Sequence, residues 1–455
     1  MKHINNLNVN EKLLNFFFIL LPVSHLIGNL AVNLIITFII IFGLLICDKT
    51  NVTKNINNIF GYLIIFFFLL LAASTFVELI NSEGENNNVV KVLLFFRYFI
   101  LIVVLMKINI NLKLNLKYFL ISCLACSLLL SLDVIYQAIN GSDLFGYKSI
   151  GRYNAGFLGD ELVAGGYIQR FLFLGIFAIP LINNKPNKFN FLFVLILSIG
   201  FTAMVLSGNR MPVLLFVPFV FMSVIFIKKL RKEFIAVFLI SLIIYPSLIY
   251  FNSSLKSGHD SLINNIVVIS KVFTLLERKY PELEKYKGTV FHHRYINDFS
   301  KKEKEKYENL RFGSGHRIAF LTAIDTYLDS PFIGSGIKGF RAKCKEKLHL
   351  PNRMCESHPH NYYLDILNST GAIGLILLLI VLFFIYRRKH VINSNLSLDG
   401  YFFYNAVFIN LAIEFFPIRS SGGFFSTTNS SYIFFLLGLV LSFSFYCNSV
   451  LKKTD

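Results

Sequence analysis

Apolar positions along this chain fall into long runs that short polar stretches separate. Runs of about 17 to 25 residues, long enough to cross a bilayer as a helix, occur near 13–29, 31–47, 59–80, 89–106, 117–138, 162–182, 189–207, 211–227, 234–251, 362–386, 400–418 and 431–450. Their number predicts an all-α, polytopic integral membrane bundle of about twelve transmembrane helices. The close first pair is compatible with a single re-entrant unit. Its first run holds Pro22 and His25, has no small-residue cleavage site and leads directly into the next run, so it reads as an uncleaved anchor. The spans divide the chain into residues 1–251, a large helical loop over 252–361, and residues 362–455.

Composition supports the membrane reading, since 55% of the 455 residues are hydrophobic and only 15% are charged. The formal net charge of +18 would suit nucleic acid if the basic residues lay together on one soluble face. Here they punctuate the apolar runs instead. Lys and Arg crowd alternate connections: Lys49 and Lys54; Lys107, Lys113 and Lys117; Lys185 and Lys188; Lys228, Lys229, Arg231 and Lys232; Arg387, Arg388 and Lys389. The positive-inside rule makes that set cytoplasmic. Lys2, Lys12, Lys452 and Lys453 put both termini on the same side, and the acidic "NSEGENNN" connection and the 252–361 loop then lie outside.

The loop reads as helices that cap the bundle. "SLINNIVVISKVFTLLERKY" shows helical spacing, "SKKEKEKYENL" reads as a solvated charged helix or linker, and "HRIAFLTAIDTYLDSPFIGSG" is amphipathic up to Pro331. Cys344 and Cys355 both fall in the loop. In an oxidising compartment their spacing permits a disulfide worth roughly 3 kcal/mol, the alternative being two unbonded thiols. Cys47, Cys123, Cys126 and Cys447 fall in or beside spans, where they read as small apolar fillers.

Ionisable groups inside spans cost about 2.5 to 3.5 kcal/mol each, which singles out His25, Arg97, Asp133, Arg170 and Glu414, with Asp365 near an interface. Each is either an internal pair that holds helices together or a functional group; Arg97 with Asp133 suits the first description. Arg152, Arg170, Arg210, Arg317 and Arg419 fall on or near the loop side. Guanidinium groups converging on one cavity make a diphosphate site, and lipid-headgroup contact is the alternative for any one of them. Arg210 stands apart because it sits in a tight Gly-Asn-Arg-Met-Pro turn.

In "HPHN", His358 and His360 read as metal ligands, as a base or as a polar turn. No second tight ligand pair accompanies them, so a metal is not expected. Pro359 keeps His358 out of a helix, and Asn361 can cap the helix that follows. His360 is then held at the mouth of the bundle, where a neutral imidazole can take a proton. Asp160 and Glu161 in "GDEL" are rival bases. "GSGIKGF" has the spacing of a dinucleotide motif without the strand that such a motif needs, and reads as a flexible turn that lets backbone approach a ligand.

The stretches "LSGNRMPVLLF", "GHRIAFLTAIDTYLDSPFIGSGIKGF" and "HPHNYYLDILNSTGAIGL", with "GRYNAGFLGDELVAGGYIQRF" and "EFFPIRSSGGFFSTTNSSYIF", resemble segments of the O-antigen ligase and polymerase family. The resemblance implies a glycosyltransferase, similar in fold to the C-type glycosyltransferases, that moves a glycan from undecaprenyl diphosphate to an acceptor hydroxyl. It points to Arg210, Arg317 and His360 as the residues of the reaction. Arg152, Glu161, Arg170, Asn361, Glu414 and Arg419 join them as candidate substrate-binding positions. Met211-Pro212 departs from the small residues that many relatives carry there.

On this reading Arg210 and Arg317 stabilise a departing diphosphate, His360 accepts the hydroxyl proton, and the anomeric carbon inverts. The diphosphate linkage stores the energy, so no metal, nucleotide or other cofactor is implied. The partners are a lipid-linked glycan, a lipid or glycan acceptor and membrane lipids, and nucleic acid is not among them. A ligase delivers to lipid A-core and a polymerase to another lipid-linked repeat; the residues leave that choice open. The rival from another class is a flippase or transporter for the same lipid. The single long loop, the lack of internal repeats and the clustering of Arg and His on one side count against it. A structural scaffold explains the apolar runs but not the arginines.

Overall fold

A computed structural model of the chain describes residues 8–46, 59–81, 87–108, 116–183, 189–256, 315–350, 353–394, 396–417, 419–420 and 422–451. Each of the twelve apolar runs is helical. They form α1 (Val9–Ile27), α2 (Asn29–Ile46), α3 (Ile59–Asn81), α4 (Asn87–Lys107), α5 (Leu116–Asn140), α6 (Ala164–Gly175) continued by α7 (Ala178–Asn183), α8 (Phe191–Leu206), α9 (Arg210–Phe226) and α10 (Arg231–Phe251). After the loop come α13 (Tyr362–Ser394), α14 (Leu398–Glu414) and α15 (Thr427–Leu451), and the loop itself contributes α11 (Gly315–Leu328) and α12 (Gly339–Lys343). The helices expected near 261–280 and 300–310 lie outside the described residues.

Among the described residues seven helices are long and apolar enough to cross a bilayer: Asn29–Ile46, Ile59–Ile80, Asn88–Lys107, Leu116–Asn140, Ala164–Ile182, Lys228–Phe251 and Tyr362–Lys389. That is fewer than the expected twelve, for a reason of length and polarity. The apolar stretches Phe191–Leu206 and Arg210–Phe226 have fewer than 18 residues, so at 1.5 Å per residue they fall short of a hydrocarbon core of about 30 Å. Helix α1 carries Glu11 in its first turn and Pro22 within it.

Packing sorts the helices into centre and rim. In the Ala164–Ile182 span 89% of the apolar window is buried, against 17% in Lys228–Phe251, so α6 runs through the middle while α10 turns Leu239 and Ile243 outward. Close approach at the centre depends on a glycine. A Cβ on Gly175 would meet the backbone nitrogen of Leu124 at 2.3 Å, so α5 and α6 touch backbone to backbone. Phe68, Phe95, Tyr98, Phe424 and Phe434 interlock α3, α4 and α15 with ring centroids 5.1 to 5.7 Å apart, within the range of favourable aromatic contact.

Helix α13 is broken. Gly371 adopts φ 64° and ψ −169° inside it, which strands backbone groups that an apolar surround cannot solvate. The loop chain fills the break: Ser335 N donates to Asn368 O (2.8 Å), Gly336 N to Ser369 O (3.0 Å), Ala372 N to Pro331 O (2.8 Å) and Ile373 N to Phe332 O (3.3 Å). On the other side Ser74 Oγ donates to Ile333 O, and Ile337 N donates to Thr75 Oγ1 at 3.0 Å. A Cβ on Gly336 would meet Thr75 Cα at 2.5 Å, and one on Gly371 would meet Phe332 O at 2.1 Å. "GSGIKGF" is therefore a pinned segment rather than the flexible turn that its composition suggests. Its glycines let a wedge of loop backbone seat between α3 and α13.

Candidate active site at the loop end of the bundle

The "HPHN" turn is fixed from both sides. Upstream, Cys344 is bonded to Cys355 with Cα atoms 5.0 Å apart, and Arg353 pairs with the buried Asp325 of α11 at 2.5 Å. Downstream, Asn361 Oδ1 accepts from Tyr363 N (3.0 Å) and Leu364 N (3.2 Å), the capping role its position predicts. Its amide also donates to Pro417 O and Arg419 O. Between these anchors His360 takes φ 55°, a conformation that costs a non-glycine residue about 1 kcal/mol or more. Its Nε2 meets the Glu356 carboxylate four residues back. His358 bonds Ser357 Oγ at 2.7 Å, and the two imidazole centroids are 4.3 Å apart.

Arg170, Glu414 and Arg419 come together as a buried triad. Arg170 Nε reaches Glu414 Oε1 at 3.0 Å and Arg419 reaches the same oxygen at 3.0 Å. The carboxylate is fully enclosed. Arg170 also donates to Tyr362 OH (3.0 Å) and Asn429 Oδ1 (2.6 Å), and Arg419 to Gln169 Oε1 (3.2 Å). Their guanidinium groups are thus engaged within the protein, tying α6, α13, α14 and α15 to one another.

Arg152 and Arg210 line a different cavity, of 70 Å³, with Tyr245 and Asn209. The "LSGNRMP" turn is built on the 152–165 segment. Asn154 Nδ2 donates to Leu206 O (2.6 Å), Gly165 N donates to Asn209 Oδ1 (3.2 Å), and Asn209 Nδ2 donates to Leu162 O (3.1 Å). Gly208, at φ 75°, lies where a Cβ would meet Arg152 O at 2.3 Å. Arg210 is the first residue of α9, so Pro212 falls in the first turn, where no helical N–H is lost; the Met-Pro departure leaves the turn intact. Among the described residues no carboxylate lines this cavity. Glu161 is exposed nearby in sequence, and Arg317 stands in the first turn of α11, its side chain outside the described residues.

A larger cavity, of 440 Å³, opens between α4, the wedge and the start of α15. Lys91, Arg97, Lys338, Arg341, His358 and Asp365 contribute its charged and titratable lining. The expected Arg97–Asp133 pair is not formed. Arg97 donates instead to Asn33 Oδ1 (2.8 Å) and Tyr98 OH (2.9 Å), while Asp133 accepts from Leu144 N at 3.1 Å. The two residues lie on helices whose facing surfaces were not readable from one sequence. Asp365 accepts from Phe424 N at 2.7 Å and so fixes the turn into α15.

Sequence reasoning passed over Glu356, Tyr362, Lys338 and Arg341. The signal for the first was present, since Glu356 and His360 are four residues apart; the basic run after "GSGI" was the signal for the last two. Among the described residues no three His, Cys, Asp or Glu side chains gather as a cation site. Residues 193–379 match the family model described as O-antigen ligase. That stretch contains Arg210, Arg317, Glu356 and His360. No curated protein matches the chain.

Proposed function

With residues 193–379 matching the O-antigen ligase family model, we propose that the chain moves a glycan from undecaprenyl diphosphate to an acceptor hydroxyl at the loop end of the bundle. Membrane glycosyl transfer in polysaccharide biosynthesis is what the family match supports. The finer reading rests on one observation: a histidine held in a left-handed turn, with a carboxylate on its ring, beside a basic cavity. Such a pair is suited to general-base work, because the carboxylate orients the ring and stabilises the imidazolium that proton transfer creates.

The acceptor O–H gives its proton to His360 as its oxygen bonds the anomeric carbon from the face opposite the leaving group. The bond from that carbon to the diphosphate oxygen breaks, its electron pair stays on the diphosphate, and the configuration inverts. Arg210 suits the leaving group. It sits at a helix N-terminus, where its own charge adds to the exposed N–H groups and Arg152 lies close by, an arrangement that an anion relieves. Arg317 is the second arginine on this reading. The step needs no metal, since cations of the protein neutralise the developing charge.

The loop end then faces the periplasm of the inner membrane and both termini face the cytoplasm, because Lys228, Lys229, Arg231, Arg387, Arg388 and Lys389 collect at the other end. The test uses purified protein in proteoliposomes supplied with lipid-linked repeats, with and without a core-lipid acceptor. Longer chains from repeats alone indicate a polymerase, and transfer only when the core lipid is present indicates a ligase. Lipid translocation without any new glycosidic bond would sink the proposal, as would a parental rate from correctly inserted His360→Ala.

A further inference from the structure

The 440 Å³ cavity is not needed for the leaving group if Arg210 holds it, yet it is the better built of the two for a large anion. It lies within the size range of small-molecule sites, about 300 to 1,000 Å³, whereas the 70 Å³ Arg152–Arg210 pocket holds little more than a phosphate. Four basic side chains, Lys91, Arg97, Lys338 and Arg341, face a single carboxylate, Asp365, and that carboxylate is already committed to Phe424 N. Several cations gathered without matching acids stay together at a cost unless an anion enters.

Two further features point to a ligand. Burial first, and then the charges of Lys91 and Arg341, hold the Lys338 ammonium below its usual range, so an anion beside it would relieve part of that cost. Lys338 also has φ 63°, and among the described residues only Lys338 and His360 are non-glycines with positive φ. Strained backbone of this kind concentrates at ligand clamps and catalytic positions. Here one such residue carries the proposed base and the other points to what lies beside it. His358 joins the two, since it lines the cavity while its ring lies tilted against that of His360, with centroids 4.3 Å apart.

We propose that this cavity is a second anion site, separate from the Arg152–Arg210 pocket, and that it binds the phosphate-bearing end of the acceptor. Phosphate recognition by several cations follows from the lining alone; the acceptor role rests on the function proposed above. A phosphate held there places the sugar attached to it near His360. The acceptor is thus an anionic lipid-borne glycan, and its phosphate comes either from a polyprenyl diphosphate or from a phosphorylated core lipid.

The test is equilibrium binding of farnesyl diphosphate to the full chain in nanodiscs, with a phosphorylated glucosamine disaccharide as competitor. The expected result is two sites per chain. Lys338→Gln with Arg341→Gln, both on the loop, weakens one site about tenfold or more, as expected for lost charge-assisted hydrogen bonds, and Arg210→Gln weakens the other. Displacement from the Lys338–Arg341 site by the disaccharide identifies a core-lipid acceptor, and retention of farnesyl diphosphate there identifies a lipid-linked one. If only one site is found and only the loop variant weakens it, the assignment of an anion site to this cavity stands, while the Arg210 assignment and the existence of two sites fall. Binding that the loop double variant leaves unchanged, with Arg97→Gln also without effect, overturns the inference.

Discussion

Two clusters of charge near the loop end of this bundle are built on opposite plans. In one, Arg170 and Arg419 close on a fully buried Glu414, with Tyr362 and Asn429 taking further hydrogen bonds. In the other, four cations surround an open cavity and a single carboxylate that is engaged elsewhere. An apolar interior tolerates charge only when the protein itself supplies the counter-charge. A cavity open to water can leave that part to a ligand. Arginine in a membrane sequence is therefore ambiguous until its neighbours are known, and the presence of an acid within reach decides which plan it follows.

The most severe way to break this comparison is to remove the carboxylate from the closed cluster. Glu414→Gln leaves two buried guanidinium groups uncompensated, and losing one partner of such a group costs about 3 to 5 kcal/mol. The expected outcome is loss of folded protein in detergent, read by thermal unfolding and size-exclusion chromatography. Lys338→Gln with Arg341→Gln removes two charges from the open cluster and is expected to leave the unfolding midpoint almost unmoved. Equal damage from both would mean that the two clusters do the same structural job.

Next come the residues proposed to act on substrate. Arg210→Gln and His360→Ala are each expected to lower turnover by roughly a hundredfold or more, corresponding to about 3 to 4 kcal/mol of transition-state stabilisation. Neither is expected to shift the unfolding midpoint as Glu414→Gln does. A glycan-transfer assay on variants matched for insertion separates the two effects, and a rate within threefold of the parent would remove the residue from the mechanism.

The helices were legible in the sequence because bilayer length and apolarity are local properties. The cap at Asn361 was legible for the same reason, as it depends only on residues just downstream. Partner choice was not. Arg97 looked matched to Asp133, both being charges inside spans, yet Arg97 turns to Asn33 and Tyr98. The glycines of "GSGIKGF" signalled close approach without saying to what, and the answer is the backbone of a broken helix some 30 residues further on. Pairings between distant elements depend on rotation and register, which one sequence does not reveal.

The turn that carries the base borders the open cluster through His358, and its anchoring is the next effect in size. Closing the short loop between Cys344 and Cys355 is worth about 3 kcal/mol in the chain-entropy description. Reduction, or Cys344→Ser with Cys355→Ser, is expected to loosen the segment before His360, lowering the unfolding midpoint and the transfer rate together. Limited proteolysis is expected to show new cleavage between residues 344 and 360. An unchanged rate with the bridge removed would show that Arg353–Asp325 and the Asn361 cap hold the turn without it.

The smallest effect offers the finest discrimination. Glu356 touches the imidazole of His360 rather than the proposed substrate, so it is a positioning residue. Replacing it by Gln keeps a hydrogen-bonding group in place and removes only the charge that stabilises an imidazolium. Hydrogen bonds to charged groups are worth about 1.5 to 3 kcal/mol, so turnover is expected to fall roughly ten- to a hundredfold. The apparent KM should hold, because neither cavity loses a lining group. Glu356→Asp restores the charge on a shorter arm and is expected to recover part of the rate. A purely structural role predicts the reverse pattern, with Gln tolerated and Asp harmful, because fit would then matter more than charge. If Glu356→Gln instead raised KM at constant turnover, the carboxylate would belong with the ligand-facing charges of the open cavity.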